Sequence, residues 1–168
     1  DEAGLSPSFT VYDDNDSALL ITKAVPAMKK RDASIAAHKI ALAKDYCLSP
    51  DDDLSEIDVR EEFPETYRAY QNRLRSTGNA DFGDLIMLPV RIMEQNPHIR
   101  AQMHRRFRVI MVDEYQDSNI AQFKLLQMLA GLDEGSGTYV CVVGDDDQSI
   151  YHFRGAEVQN ILNFANVF

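Results

Sequence analysis

The sequence predicts a mostly α-helical chain with a partial α/β unit attached. Three observations lead there. Apolar residues recur at helical spacing through roughly the first two thirds of the 168 residues. Two short, uninterrupted, β-branched runs, Val109-Ile110-Met111-Val112 and Tyr139-Val140-Cys141-Val142-Val143, stand in the last third. One more helical stripe separates them, and strand, helix, strand at this spacing is a parallel βαβ unit with a right-handed crossover.

The elements follow in order. Asp13-Asp14-Asn15-Asp16 supplies caps for a helix over 13–28 with Leu20, Ile21, Ala24, Val25 and Met28 on one side, bent at Pro26. A second helix covers 33–43, and Ser49-Pro50-Asp51-Asp52-Asp53 is a loop. A third covers 61–75, with Tyr67, Tyr70 and Leu74 as a core stripe, and ends near Gly78. Asp81 caps a fourth, whose inward residues are Leu85, Leu88, Ile92 and Met93, with a kink at Pro89. Pro97 opens a short basic helix over 98–106. The run from Val109 reads as a strand buried on both faces. Asp117 or Ser118 caps the next helix, which carries Ile120, Phe123, Leu126 and Ala130 and stops at Gly131. Residues 133–138 form a polar turn, Tyr139 opens the second strand, and 157–164 is helical. The expected domains are a helical one over 1–106 and a partial α/β core over 107–168.

Composition narrows the class. With 45% hydrophobic and 26% charged residues the chain is globular, and no apolar run is long enough to cross a membrane. Cys47 and Cys141 read as reduced packing thiols, which fits a cytoplasmic protein. His38, His98, His104 and His152 lack metal-type spacing and read as surface residues. The formal net charge of −10 argues against a protein coated in positive charge for nucleic acid. That charge is uneven, however: residues 1–59 carry −6, 60–108 carry +3 and 109–168 carry −7. The basic middle third holds Arg100, Arg105, Arg106 and Arg108, with no acid from 95 to 112. Arg105 and Arg106 are therefore candidates for DNA phosphate contact, against the plainer reading of a solvated helix face.

The chemistry concentrates where the strands end. In parallel sheets ligands sit at the carboxyl ends of strands, and Asp113-Glu114 and Gly144-Asp145 follow the two runs directly. A carboxylate at a rigid strand end can hold hydrated Mg²⁺, and its neighbour can orient or deprotonate a water attacking a γ-phosphate. Taken alone, an Asp-Glu pair after a strand is weak evidence.

Two longer segments sharpen it. Asp113-Glu114-Tyr115-Gln116-Asp117-Ser118-Asn119 and Gly144-Asp145-Asp146-Asp147-Gln148-Ser149-Ile150-Tyr151-His152-Phe153-Arg154-Gly155-Ala156 resemble motifs II and III of the UvrD/Rep/PcrA-like helicases of superfamily 1. Asp81-Phe82-Gly83-Asp84-Leu85-Ile86 resembles the segment that precedes motif II there. The resemblance implies a helical subdomain joined to part of a RecA-like P-loop NTPase sheet, and ATP and Mg²⁺ as cofactors. It implies that Asp113 binds Mg²⁺ and that Glu114 activates water. Gln116 is then the link from nucleotide site to motor, and Gln148 the γ-phosphate sensor. Arg154 ties motif III back to motif II, and Tyr151 and Phe153 stack on bases of single-stranded DNA. The family usually has Trp where Phe153 stands, and often Gly or a similar variable residue where His152 stands.

None of the eight glycines is followed by Lys, so no phosphate-binding P-loop is present. The expectation is a fragment, lacking an initiator Met, of an ATP-dependent 3′–5′ DNA helicase acting in repair or replication at single-strand/duplex junctions. Alone it should neither hydrolyse ATP appreciably nor unwind DNA, since further helicase domains are needed in cis; its open sheet edge should favour dimers. The alternative is a non-catalytic DNA- or protein-binding module from a degenerate helicase.

Overall fold

The computed structural model describes residues 2–131 and 137–145. The chain packs as two compact units, Asp1–Leu85 and Ile86–Phe168. Helices dominate, with two short parallel sheets of two strands each.

The first unit holds β1 (Val11–Tyr12), α1 (Asp14–Ala24), α2 (Lys30–Asp45), α3 (Phe63–Ser76) and β2 (Ala80–Asp81). Asp13 caps α1 through a reciprocal box with Asp16. The helix ends at Ala24 instead of bending through Pro26. The residue before a proline is pushed out of the helical region, and Val25 sits at φ −127°, ψ 80°. Leu20 and Ile21 point inward to Ala33, Ala36, Ile40, Phe63, Tyr67, Tyr70 and Leu74, so the tyrosine stripe is core as expected. Alanines along α2 let α1 and α3 approach closely. The α3 C-terminus closes through Gly78 at φ +70°, where a side chain would be strained. The parallel pair β1–β2, with Val11 opposite Ala80 and Tyr12 opposite Asp81, has no counterpart in the sequence reading.

Helix α4 (Asp84–Gln95) starts where the first unit ends, and Asp81 Oδ1 accepts the Asp84 N–H at 2.9 Å as the expected cap. It runs without interruption through Pro89. Its buried residues are Met87, Val90 and Met93, whereas Leu85 is exposed and Leu88 and Ile92 are half-buried. The reason lies in the phase of the helix. Asp84 itself is buried, and steps of three from it reach Met87, Val90 and Met93.

The second unit continues with α5 (Pro97–Arg106), β3 (Val109–Val112), a 3₁₀ turn (Tyr115–Asp117), α6 (Ile120–Ala130) and β4 (Tyr139–Val142). Strands β3 and β4 pair in parallel with Val109 opposite Tyr139 and Val112 opposite Val142, as the βαβ reading requires. They are not buried on both faces: Val109 is 59% and Met111 74% exposed. A parallel sheet needs cover on both sides, and among the described residues one face of this sheet is bare. The cap of α6 is Asn119, not Asp117 or Ser118. The 3₁₀ turn consumes those two positions, and Asn119 then forms a capping box with Gln122. Gly131 ends the helix at φ +61°. His104 is buried, contrary to the surface reading, and its Nε2 lies 2.7 Å from the Met128 carbonyl oxygen, which binds α5 to α6. Cys47 is buried and Cys141 half-buried, with neither in a disulfide. The helix expected over 157–164 lies outside the described residues.

Candidate functional site

Strand β3 delivers Asp113 and Glu114 to its carboxyl end. The chain then reverses sharply. Glu114 adopts a left-handed conformation (φ 52°, ψ 39°), which costs a non-glycine residue about 1–2 kcal/mol and is typical of strained functional turns. The reversal is secured on several sides. Asp113 Oδ1 accepts the Glu114 N–H at 2.9 Å, and the Asp117 N–H reaches back to the Glu114 carbonyl at 3.0 Å. The Tyr115 N–H donates to the Val143 carbonyl at 2.9 Å, which ties the turn to the end of β4.

Gln116 is buried and uses both ends of its amide. Its Nε2 donates to Glu114 Oε2 at 2.7 Å, and its Oε1 accepts the Asp145 N–H at 3.1 Å. Tyr115 packs beside it, and burial pushes its phenol up to about 12. The structure thus brings Asp113, Glu114, Gln116 and Asp145 together at the ends of the two parallel strands.

A cleft of about 360 Å³ opens here, lined by Val112, Asp113, Glu114, Tyr115, Asp117, Ser118, Gln122 and Leu126. Among the described residues no group of three or more His, Cys, Asp or Glu side chains is placed to hold a metal by itself. The cleft wall carries the Asp113 and Glu114 carboxylates, oxygen donors of the kind Mg²⁺ takes one or two at a time while keeping several waters. Asp117 Oδ1, on the cleft wall, is buried with no hydrogen-bond partner among the described residues.

Arg105 and Arg106 end α5 and are exposed, as is Arg108 beyond it. Arg106 stacks over the Phe107 ring at 5.8 Å. Cations at a helix C-terminus are favourable in their own right. Gln148, Tyr151, Phe153 and Arg154 lie outside the described residues.

A second polar cluster, which the sequence reading missed, occupies the first unit. Lys44 is fully buried, with Nζ at 2.6 Å from Asp81 Oδ2 and 2.7 Å from Asp84 Oδ1. The Tyr70 hydroxyl donates to Asp81 Oδ2 at 2.8 Å and lies 2.9 Å from Ser17 Oγ. Burial, aided by Asp81, pushes the Tyr70 phenol well above its ordinary value. Gln71 Nε2 donates to both oxygens of Asp84. A Cβ on Gly83 would lie 2.7 Å from Lys44 Cβ, so the turn between the two aspartates needs glycine. The signal was a lysine on the Ala36-Ile40-Ala43 face of α2.

Among the described residues no helix is long and apolar enough to cross a membrane. Comparison with known proteins gives the family. The UvrD/REP helicase N-terminal domain matches residues 1–168. The ATP-dependent DNA helicase UvrD1 of Mycobacterium bovis is 37% identical over 96% of this chain and 22% of its own length. The ATP-dependent DNA helicase PcrA of Leuconostoc citreum is 35% identical over the same shares. DNA helicase II of Rickettsia typhi is 37% identical over 98% of this chain and 26% of its own. The chain thus spans about a quarter of the length of these relatives. It belongs to the UvrD/REP helicase N-terminal domain family.

Proposed function

We propose that this chain is part of an ATP-dependent DNA helicase or translocase that couples hydrolysis of Mg²⁺-bound ATP to 3′–5′ movement on single-stranded DNA. The observation that carries the reading is the Asp113–Glu114 pair, set at the carboxyl end of a parallel strand in a chain of this family. Asp113 keeps one oxygen for the Glu114 N–H and leaves the other for the metal. Asp113 would hold a hydrated Mg²⁺, which would supply positive charge to offset the charge that develops on the phosphates. Glu114 holds the attacking water and takes its proton.

The remaining roles follow the family pattern. Gln116 and Arg154 serve the nucleotide site, and Gln148 senses the γ-phosphate. Tyr151 and Phe153 stack on bases, which gives grip without sequence preference. Arg105 and Arg106 hold phosphates near a single-strand/duplex junction. Residues 1–106 act as an inserted helical subdomain and 107–168 as part of a RecA-like core. The whole protein works in the cytoplasm, in DNA repair or replication, with further domains in cis. The chain alone is inactive, and its open sheet edge draws it into dimers.

The test is Glu114→Gln in the full-length gene product. DNA-stimulated ATP hydrolysis should fall by about 10²–10⁴-fold with ATP binding retained. Hydrolysis at the wild-type rate would sink the reading.

A further inference from the structure

The buried amide of Gln116 spends both of its ends on partners within the protein. One end grips the carboxylate of Glu114 and the other grips the backbone N–H of Asp145, 29 residues away. The slot that admits it is specific. A Cβ on Gly144 would stand 2.7 Å from Gln116 Oε1 and 3.2 Å from the Gln116 backbone nitrogen. The other link across the same gap, the Tyr115 N–H to the Val143 carbonyl, is backbone only and does not reach Glu114's side chain. Glu114 is itself in a strained left-handed conformation, so its carboxylate is not placed by the strand alone.

We infer that Gln116 is a positioning residue, a strut that sets the Glu114 carboxylate and makes its setting depend on the backbone at Gly144–Asp145. The inference rests on the proposed role of Glu114 in activating water. It also supplies a physical link from the Glu114 carboxylate through one amide to the Asp145 backbone, which Asp146-Asp147-Gln148 follow directly in the sequence. Gly144 is the matching part, because any larger residue displaces the strut.

The experiment measures ATP hydrolysis by the full-length gene product, with and without single-stranded DNA. It uses Gln116→Glu, Gln116→Asn, Gln116→Met and Gly144→Ala. Gln116→Glu is isosteric and keeps an acceptor for the Asp145 N–H, but loses the donor to Glu114. Gln116→Asn keeps the amide but is one methylene too short to reach both partners. Gln116→Met loses both hydrogen bonds. Each should lower kcat about 10- to 100-fold, the cost of roughly 1 Å of misplacement, with KM for ATP within about threefold. Gln116→Met and Gln116→Asn should also lose most of the stimulation by DNA. Melting temperatures and single-stranded DNA affinity report on folding.

Folded Gln116 variants with wild-type kcat overturn the inference. A proportional rise in KM with unchanged kcat also overturns it, since that is the behaviour of a nucleotide-binding residue. Loss of fold in all three Gln116 variants overturns it too, by making Gln116 a core residue. A wild-type protein without DNA-stimulated hydrolysis overturns the function reading, and the inference with it. Wild-type hydrolysis with indifferent variants overturns the inference alone.

Discussion

Replacing Lys44 with Met should destabilise the first unit by about 3–5 kcal/mol, the usual cost of removing one partner from a buried ion pair. The structure explains why so large a figure applies. Lys44 Nζ sits 2.6 and 2.7 Å from two carboxylates, with no solvent exposure of its side chain. At an effective dielectric of about 20, each contact is worth roughly 6 kcal/mol of attraction, while desolvating each of three ions costs several kcal/mol. The cluster as a whole therefore comes out near balance. Removal of the lysine is different, because Asp81 and Asp84 are then left buried and mutually repulsive. Tyr70 and Gln71 donate to them but bring no charge. The assay is urea unfolding followed by far-UV circular dichroism, with Lys44→Met compared against Lys44→Met/Asp81→Asn/Asp84→Asn. Asparagine retains the cap at Asp81, so the triple variant removes the orphaned charges and should recover more than half of the loss. A single variant within about 1 kcal/mol of wild type would refute the reasoning. So would a triple variant no more stable than the single one.

Three further outcomes are expected beside the Glu114→Gln test. Gly131→Ala should cost about 1–3 kcal/mol in urea unfolding, since Gly131 is at φ +61° and a Cβ would meet the His104 ring at 2.4 Å; a neutral result would mean the α5–α6 contact is looser than described. Asp58 gives a pH dependence. The Arg60 guanidinium, with Lys39 assisting, holds its carboxyl well below the ordinary 3.8. A depressed carboxylate adds stability that is complete above the unfolded value and is lost as pH falls below 3.8 through the folded value. Asp58→Asn should therefore lower the urea midpoint at neutral pH and flatten its fall in acid; parallel curves would contradict this. Finally, Arg105→Glu with Arg106→Glu should reduce the salt dependence of DNA binding by the full-length gene product, by about one unit of slope for each phosphate no longer held. An unchanged slope would return these arginines to a solvated helix end.

The legible parts of this protein are those whose physics is local. Asp13 with Asp16, and Asp81 with Asp84, cap their helices within three residues. Tyr67, Tyr70 and Leu74 share a face because of the helical repeat, and they are core. The apolar runs at Val109 and Tyr139 had to pair in parallel across an intervening helix, and they do. Local rules also account for two misses: the helix that stops before Pro26, and the cap that moves to Asn119 once the 3₁₀ turn has taken Asp117.

Placement of Asp113 and Glu114 at the end of a parallel strand and the caps of α1 and α4 were determined by the sequence itself, because periodicity and capping act over one or two turns. Tertiary structure alone decided three things. It set Lys44 against Asp81 and Asp84, 37 and 40 residues away, joined Gln116 to the Asp145 backbone, and left Val109 and Met111 exposed. Contacts of that range depend on which faces meet after the whole unit has packed, and no local pattern encodes that meeting.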